Sequence, residues 1–310
     1  MTTLIDRQTS GVYIIAATPF TDDGSVDFDS IDRLVDFYVE KGVDGMTILG
    51  MMGEADKLSA EERHAVLDRF MKRAGDLPVV VGVSDAGIAN LACLTRAAMD
   101  MGAAGVMVAP TRGPAREDRV VGYFHQVCDA IGENVPVVFQ DFPQATGVPV
   151  SARTIIELSR DRPQIVMLKH EDCPGLAKIS AVRASQKDGY PRMSILCGNG
   201  ALYLPQEMAR GADGAMTGFA YPEALVGTVE RFLAGRKDEA EDFFDAYLPI
   251  LRHEQQPGFG LALRKTILMK RGAIASAATR APGPRLSRTD WNELERLVAR
   301  TERNLARLGL

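Results

Sequence analysis

Along the chain, short unbroken apolar runs alternate with longer stretches whose apolar positions recur every three or four residues. The short runs are VYIIAA (12–17), MTILG (46–50), PVVVGV (78–83), GVMVA (105–109), PVVFQ (136–140), IVMLK (165–169), MSILCG (193–198) and GAMTG (214–218). Runs this short, with no polar alternation, suit strands buried on both faces, as in a parallel sheet covered by helices. The stretches between them, near 28–41, 59–74, 87–101, 117–131, 151–160, 174–186, 200–210 and 222–234, have the helical period. Eight strand–helix units predict an α/β fold built on one closed parallel (β/α)8 barrel.

A local repeat agrees with this. KGVDGMTIL (41–49), MGAAGVMVA (101–109) and RGADGAMTG (210–218) each carry G-x-x-G running into an apolar strand. The first glycine suits the left-handed position just past a helix end, and the strand then starts at once. Ser59 and Glu62 are spaced as a capping box for the helix that follows the second strand. Past residue 235 the alternation stops. Residues 237–254, 258–272 and 287–308 read as helices without strands between them, broken by QQPG and RAPGPR (280–285). The expected organisation is a barrel over residues 1–235 and, over 236–310, a three-helix extension packed on it.

Composition narrows the function classes. With 46% hydrophobic and 25% charged residues, the 310-residue chain has a globular balance that excludes extended disorder. A net charge of −5 without a basic cluster gives no footprint for nucleic acid. No apolar run is long enough to span a bilayer, and the first twenty residues lack a secretory pattern. The four cysteines are far apart and read as small buried hydrophobes in a reducing cytosol, so the expected location is cytoplasmic. The four histidines show no i, i+4 pair and no clustering with carboxylates, which disfavours a metal-dependent mechanism; no metal and no cofactor are expected.

In a parallel barrel the chemistry sits where strands end and βα loops begin. The sixth strand ends Lys169-His170-Glu171. Alternation puts Lys169 and Glu171 on one side with Ile165 and Met167, and His170 on the other with Val166 and Leu168. Apolar surroundings destabilise an ammonium, which makes free amine available for attack on a carbonyl. The other reading is a lysine that reaches past the rim into water or pairs with Glu171. The second strand runs into GMMGEAD (50–56), a turn whose backbone N–H groups at Met51, Met52 and Gly53 suit a carboxylate, with Glu54 bracing the turn or facing the site. Gln140 ends the fifth strand on the face of Val138 and Phe142 and suits hydrogen bonds to substrate hydroxyls, not acid–base work. Thr217 and Gly218 end the eighth strand and offer a hydroxyl and a close backbone approach.

Taken together, ATPFTDDGSVD (17–27), the G-x-x-G-E of 50–54, the strand-6 lysine and the helical C-terminus resemble the dihydrodipicolinate synthase/N-acetylneuraminate lyase family of class I aldolases, over nearly the whole chain. The resemblance implies a (β/α)8 barrel with a helical extension and a homotetramer. It also implies that Lys169 forms a Schiff base with a 2-keto acid such as pyruvate. Family members that make dihydrodipicolinate carry two threonines where Met51 and Met52 stand and a proton-relaying tyrosine where Gln140 stands. They also have a tyrosine-containing turn in place of APTRGPAR (109–116, with Thr111 and Arg112) and an arginine in place of Ala145. FQDFP (139–143), GAMTGFAYPE (214–223), YLPILRHEQQPGFGLALRKTILMKRGAIAS (247–276) and the Lys-x-Glu of 169–171 look instead like the 2-keto-3-deoxy sugar-acid dehydratases of the L-2-keto-3-deoxyarabonate type, although GMMGEAD departs from that branch. That likeness implies a dehydratase in which Glu171 serves as acid and base if burial holds it protonated, with Gln140 orienting a hydroxyl. A pyruvate-dependent aldolase of the same family is the alternative, and a barrel that binds a keto acid without turnover is the reading from outside enzymology.

Overall fold

The computed structural model describes residues 3–110 and 116–309. Thr111 and Arg112 of the fourth-strand turn therefore lie outside the described residues. Eight parallel strands close in sequence order into a barrel: β1 (Gly11–Ile15), β2 (Gly45–Ile48), β3 (Val79–Gly82), β4 (Gly105–Val108), β5 (Val137–Asp141), β6 (Ile165–His170), β7 (Ser194–Cys197) and β8 (Gly214–Ala215). Around it run α1 (Phe28–Glu40), α2 (Ala60–Ala74), α3 (Ile88–Asp100), α4 (Glu117–Ile131), the short α5 (Pro143–Thr146), α6 (Ala152–Asp161), α7 (Leu176–Ala184), α8 (Leu204–Ala209) and α9 (Pro222–Leu233). The alternation expected from the apolar pattern is present in every unit. β8 is shorter than GAMTG, yet Met216 N–H still donates to Cys197 O and Ile15 N–H to Thr217 O, so the ladder continues past its named end. Among the described residues no helix is long and apolar enough to cross a membrane.

The G-x-x-G repeat has a two-part cause. Gly42, Gly102 and Gly211 sit at φ of 76°, 89° and 97°, the left-handed region where a side chain is strained. The second glycine of each copy lies where the barrel is plugged from below. A Cβ on Gly45 would stand 2.4 Å from the Tyr13 ring, one on Gly105 2.8 Å from Ile5, and one on Gly214 1.9 Å from the Gly11 carbonyl. Ile5, Tyr13, Val80, Val138, Met167, Leu196 and Met216 then fill the interior as a separate apolar cluster. That cluster is the floor on which the strand ends stand.

One expectation fails at the start of β6. Val137 pairs with Ile165 but Val138 with Met167, so β6 carries one extra residue opposite that step. The bulge turns Ile165 outward into the layer between barrel and helices, while Val166 packs against the interior cluster. Ile165 therefore does not share the side of Lys169. Alternation resumes at Met167, so Lys169 still faces inward.

The extension consists of α10 (Lys237–Glu254), α11 (Gly260–Lys270) and α12 (Arg288–Arg307), with α10 packed against α9, α11 and α12. Helix α11 is bound to the barrel by charge as well as by apolar contact. Lys265, 0% exposed, donates from Nζ to Glu54 Oε1 at 2.7 Å and to the Ala278 carbonyl at 2.9 Å. Glu54 Oε2 accepts from Lys57 Nζ at 2.9 Å and from the Arg280 N–H at 3.0 Å. The Ser59–Glu62 capping box forms, and Glu62 also pairs with Arg280 at 2.5 Å. Removing one partner of a buried pair strands the other charge, so Lys265→Met is expected to lower the unfolding free energy by about 3–5 kcal/mol. Glu54→Gln/Lys265→Met should recover more than half of that loss in urea titrations; equal losses in both variants would show that the ion pair is not the cause.

Candidate active site

The inward side chains at the C-terminal ends of β5 and β6 meet above the apolar floor. Gln140 and Lys169 are register partners across the two strands. Lys169 Nζ stands 3.1 Å from Glu171 Oε2, and Gln140 Nε2 donates to that same oxygen at 2.7 Å. Lys169 is 4% exposed and Glu171 7%. Of the alternatives open in the sequence, a lysine extending into water is ruled out by this geometry: the amine is enclosed and a carboxylate offsets its burial. Glu171 itself lies over bare backbone, since a Cβ on Gly198 would stand 2.2 Å from its Cγ.

These groups face a cavity of about 80 Å³, walled also by Met51, Met52, Thr217 and Gly218. Met51 and Met52 begin a single 3-10 turn after β2, so their N–H groups have no carbonyl within the turn to bond to. Gly53 is buried behind it, its carbonyl accepting from Thr18 Oγ1 at 2.6 Å. Thr217 Oγ1 accepts from the Gly200 N–H at 2.9 Å, which leaves its own proton free to donate. A larger cleft of about 690 Å³ opens beside this chamber over the ends of β2 to β5; Met51 and Gln140 line both.

Of the two roles left open for Glu54, bracing the turn is the one its contacts fill: both of its carboxylate oxygens are taken by Lys265, Lys57 and the Arg280 N–H, so it does not serve the substrate-binding role also expected of it. His170 and Asp141 point outward, as alternation required. Burial pushes the Asp141 carboxyl up to about 6 against the pull of Lys178 at 2.6 Å, and burial pushes the His170 imidazole down to about 4. Ala145 lines the outer cleft.

The cavity is also walled by Phe142, on the Gln140 face, and by three residues not expected there: Asn199, Gln255 and Arg264. The last two come from the extension, not from a βα loop. One signal was available, because GLALRKTILM places two cations inside an otherwise apolar helix.

A barrel whose rim encloses a lysine and a carboxylate on one strand face has the make-up of a lysine-dependent enzyme of the class I aldolase/lyase type. The chain belongs to the dihydrodipicolinate synthetase family, whose model matches residues 8–301. It is similar to the L-2-keto-3-deoxyarabonate dehydratase of Azospirillum brasilense, 30% identical over 297 residues that cover 94% of each chain. Among solved structures it resembles a dihydrodipicolinate synthase from Rhodopseudomonas palustris, with TM-score 0.95, 48% identity, and 96% of this chain and 100% of that one covered. It also resembles a prophage protein of the dihydrodipicolinic acid synthase family from E. coli K12, solved in complex with pyruvate, with TM-score 0.85, 25% identity and coverage of 94% and 98%.

Close to the site, the buried Glu207 carboxyl is pushed up to about 7 by burial, with the Cys197 thiol beside it pulling the other way. A carboxyl whose folded value is raised contributes stability that is present below its unfolded value and is lost as pH rises through the folded one. Glu207→Gln should therefore gain on the unaltered chain by on the order of 2–3 kcal/mol between pH 4 and pH 8 in denaturant titrations. A constant difference across that range would show that Glu207 titrates normally in the fold.

Proposed function

We propose that this enzyme dehydrates a 2-keto-3-deoxy sugar acid through a Schiff base on Lys169. The observation that carries the reading is that, among the described residues, Glu171 is the one acid lining the chamber, in contact with both Lys169 and Gln140, and neither a tyrosine nor a histidine lines it. The cycle balances on that carboxylate. Glu171 takes the ammonium proton, freeing the amine to attack the C2 carbonyl, and returns it as the carbinolamine loses water. The iminium acidifies C3; Glu171 removes a C3 proton to give the enamine, then delivers it to the C4 hydroxyl, which departs as water. A second water adds at C2 of the unsaturated iminium, with Glu171 carrying its proton to the leaving amine, so that Lys169 is restored and the freed enone tautomerises to the semialdehyde. Gln140 orients a hydroxyl, and the N–H groups of Met51 and Met52 take one carboxylate oxygen, with Gly53 closing the turn and Thr217 offering its free proton to the substrate. The similarity to the Azospirillum dehydratase supports this reading.

The name carried by the Rhodopseudomonas relative favours a second reading, a pyruvate-dependent aldolase of the synthase type. A keto-acid panel separates the two by semialdehyde formation against pyruvate release. We also place the protein in the cytoplasm as a homotetramer, on the strength of the family resemblance and of four cysteines that are all free thiols; light scattering giving a monomer would contradict the tetramer.

Borohydride with pyruvate should leave an adduct on Lys169 that is absent from Lys169→Met, and no adduct would remove every Schiff-base reading. Glu171→Gln should lower kcat by about 10²–10⁴-fold. Full activity in that variant would end the proton-transfer role.

A further inference from the structure

Arg264 of α11 is 2% exposed, and its charge is met by Glu254, 1% exposed, through Nε to Oε1 at 2.5 Å. The other Glu254 oxygen accepts from the Ala220 N–H at 3.1 Å, so each of its oxygens already has a donor. Nη1 of Arg264 is left buried with no partner among the described residues. It lies 1.9 Å from where a Cβ on Gly218 would be, which is where an inward side chain at the end of the eighth strand would begin. Gln255, at the end of α10, repeats the pattern. Its Nε2 is buried without a partner among the described residues, and the side chain occupies the space that a Cβ on Gly200 would fill, 1.9 Å from its Cδ. Two glycines thus admit two side chains from the extension to the chamber that holds Lys169, and each brings an unused N–H.

A buried donor without an acceptor costs free energy, more so when it is charged. What the two donors lack is an acceptor, and for a guanidinium the fitting one is a carboxylate. Both residues line the inner chamber and neither lines the outer cleft. The end of the ligand that they meet is therefore the end bound to Lys169, not the hydroxylated tail.

We infer that Arg264, assisted by Gln255, holds the carboxylate of the 2-keto acid and so sets the selectivity of the chamber for keto acids over neutral ketones. This rests on the reading of Lys169 as the Schiff-base lysine. The carboxylate then takes the turn N–H groups of Met51 and Met52 on one oxygen and the extension on the other, and the tail leaves over Gln140 into the outer cleft. Arg264 and Gln255 act as positioning residues and take no part in proton transfer.

The test compares borohydride trapping by pyruvate with trapping by acetone, which has the keto group and no carboxylate. In Gly218→Ala, which displaces Nη1 while keeping every charge, the half-saturating pyruvate concentration should rise at least about tenfold relative to that for acetone. Glu254→Gln/Arg264→Met, which removes the buried pair together, should do the same, and Gln255→Met should give a smaller rise. Equal changes for the two ketones, or none for pyruvate, would overturn the inference. Calorimetric binding of pyruvate to Lys169→Met, with and without Gly218→Ala, separates it from the Schiff-base reading. Weaker binding in the double variant supports the carboxylate role even if trapping fails, and equal binding ends it.

Discussion

Burying a cation is the constraint around which the mouth of this barrel is built. Lys169, Arg264 and Lys265 are all nearly inaccessible, and each has its own carboxylate: Glu171, Glu254 and Glu54. An unpaired charge at such depth costs several kcal/mol, so the three pairs have to be assembled together as the chain folds. Two of the cations are adjacent in sequence and diverge, one to the eighth-strand end and one to the turn after the second strand. Helix α11 therefore ties the two sides of the site to each other. The third pair joins two residues of one segment, Lys169 in β6 and Glu171 just past its end.

That division explains the chemistry. At Glu254 and Glu54 every carboxylate oxygen already accepts from a protein donor that ties the extension to the barrel or the turn. Glu171 differs: among the described residues it is held by Lys169 and an amide from Gln140 alone, and it faces the chamber. A neutral amide beside it leaves Glu171 the one acid among the described residues that line the chamber.

Much of the fold was legible because its signals are local. Apolar runs, the G-x-x-G repeat and the Ser59–Glu62 cap each act within a few residues, and each appeared where expected. The Lys169/Glu171 face was legible because strand alternation has a period of two. Ile165 was misplaced because the bulge that reverses it depends on the register with β5, and one strand does not encode that. Glu54 remained ambiguous for a similar reason, since its partners Lys265 and Arg280 lie more than two hundred residues away. Arg264 and Gln255 were not legible because strand ends mark a barrel site, whereas these two side chains arrive from α11 and the end of α10, outside the barrel repeat. The strand–helix alternation stops after α9, yet two residues beyond it, Gln255 and Arg264, line the chamber that holds Lys169.

The adjacency of Arg264 and Lys265 bears on how such a chain can change over evolutionary time. A single inserted or deleted residue early in α11 turns the rest of the helix by about 100°. Both cations would then leave their carboxylates in one step, with no intermediate in which either pair survives. The segment from Glu254 to Lys265 is thereby closed to length variation, while the connection between α11 and α12 past Arg280 carries no such restriction. Drift in this extension is confined to substitution on its outer surface and to insertion in that later loop.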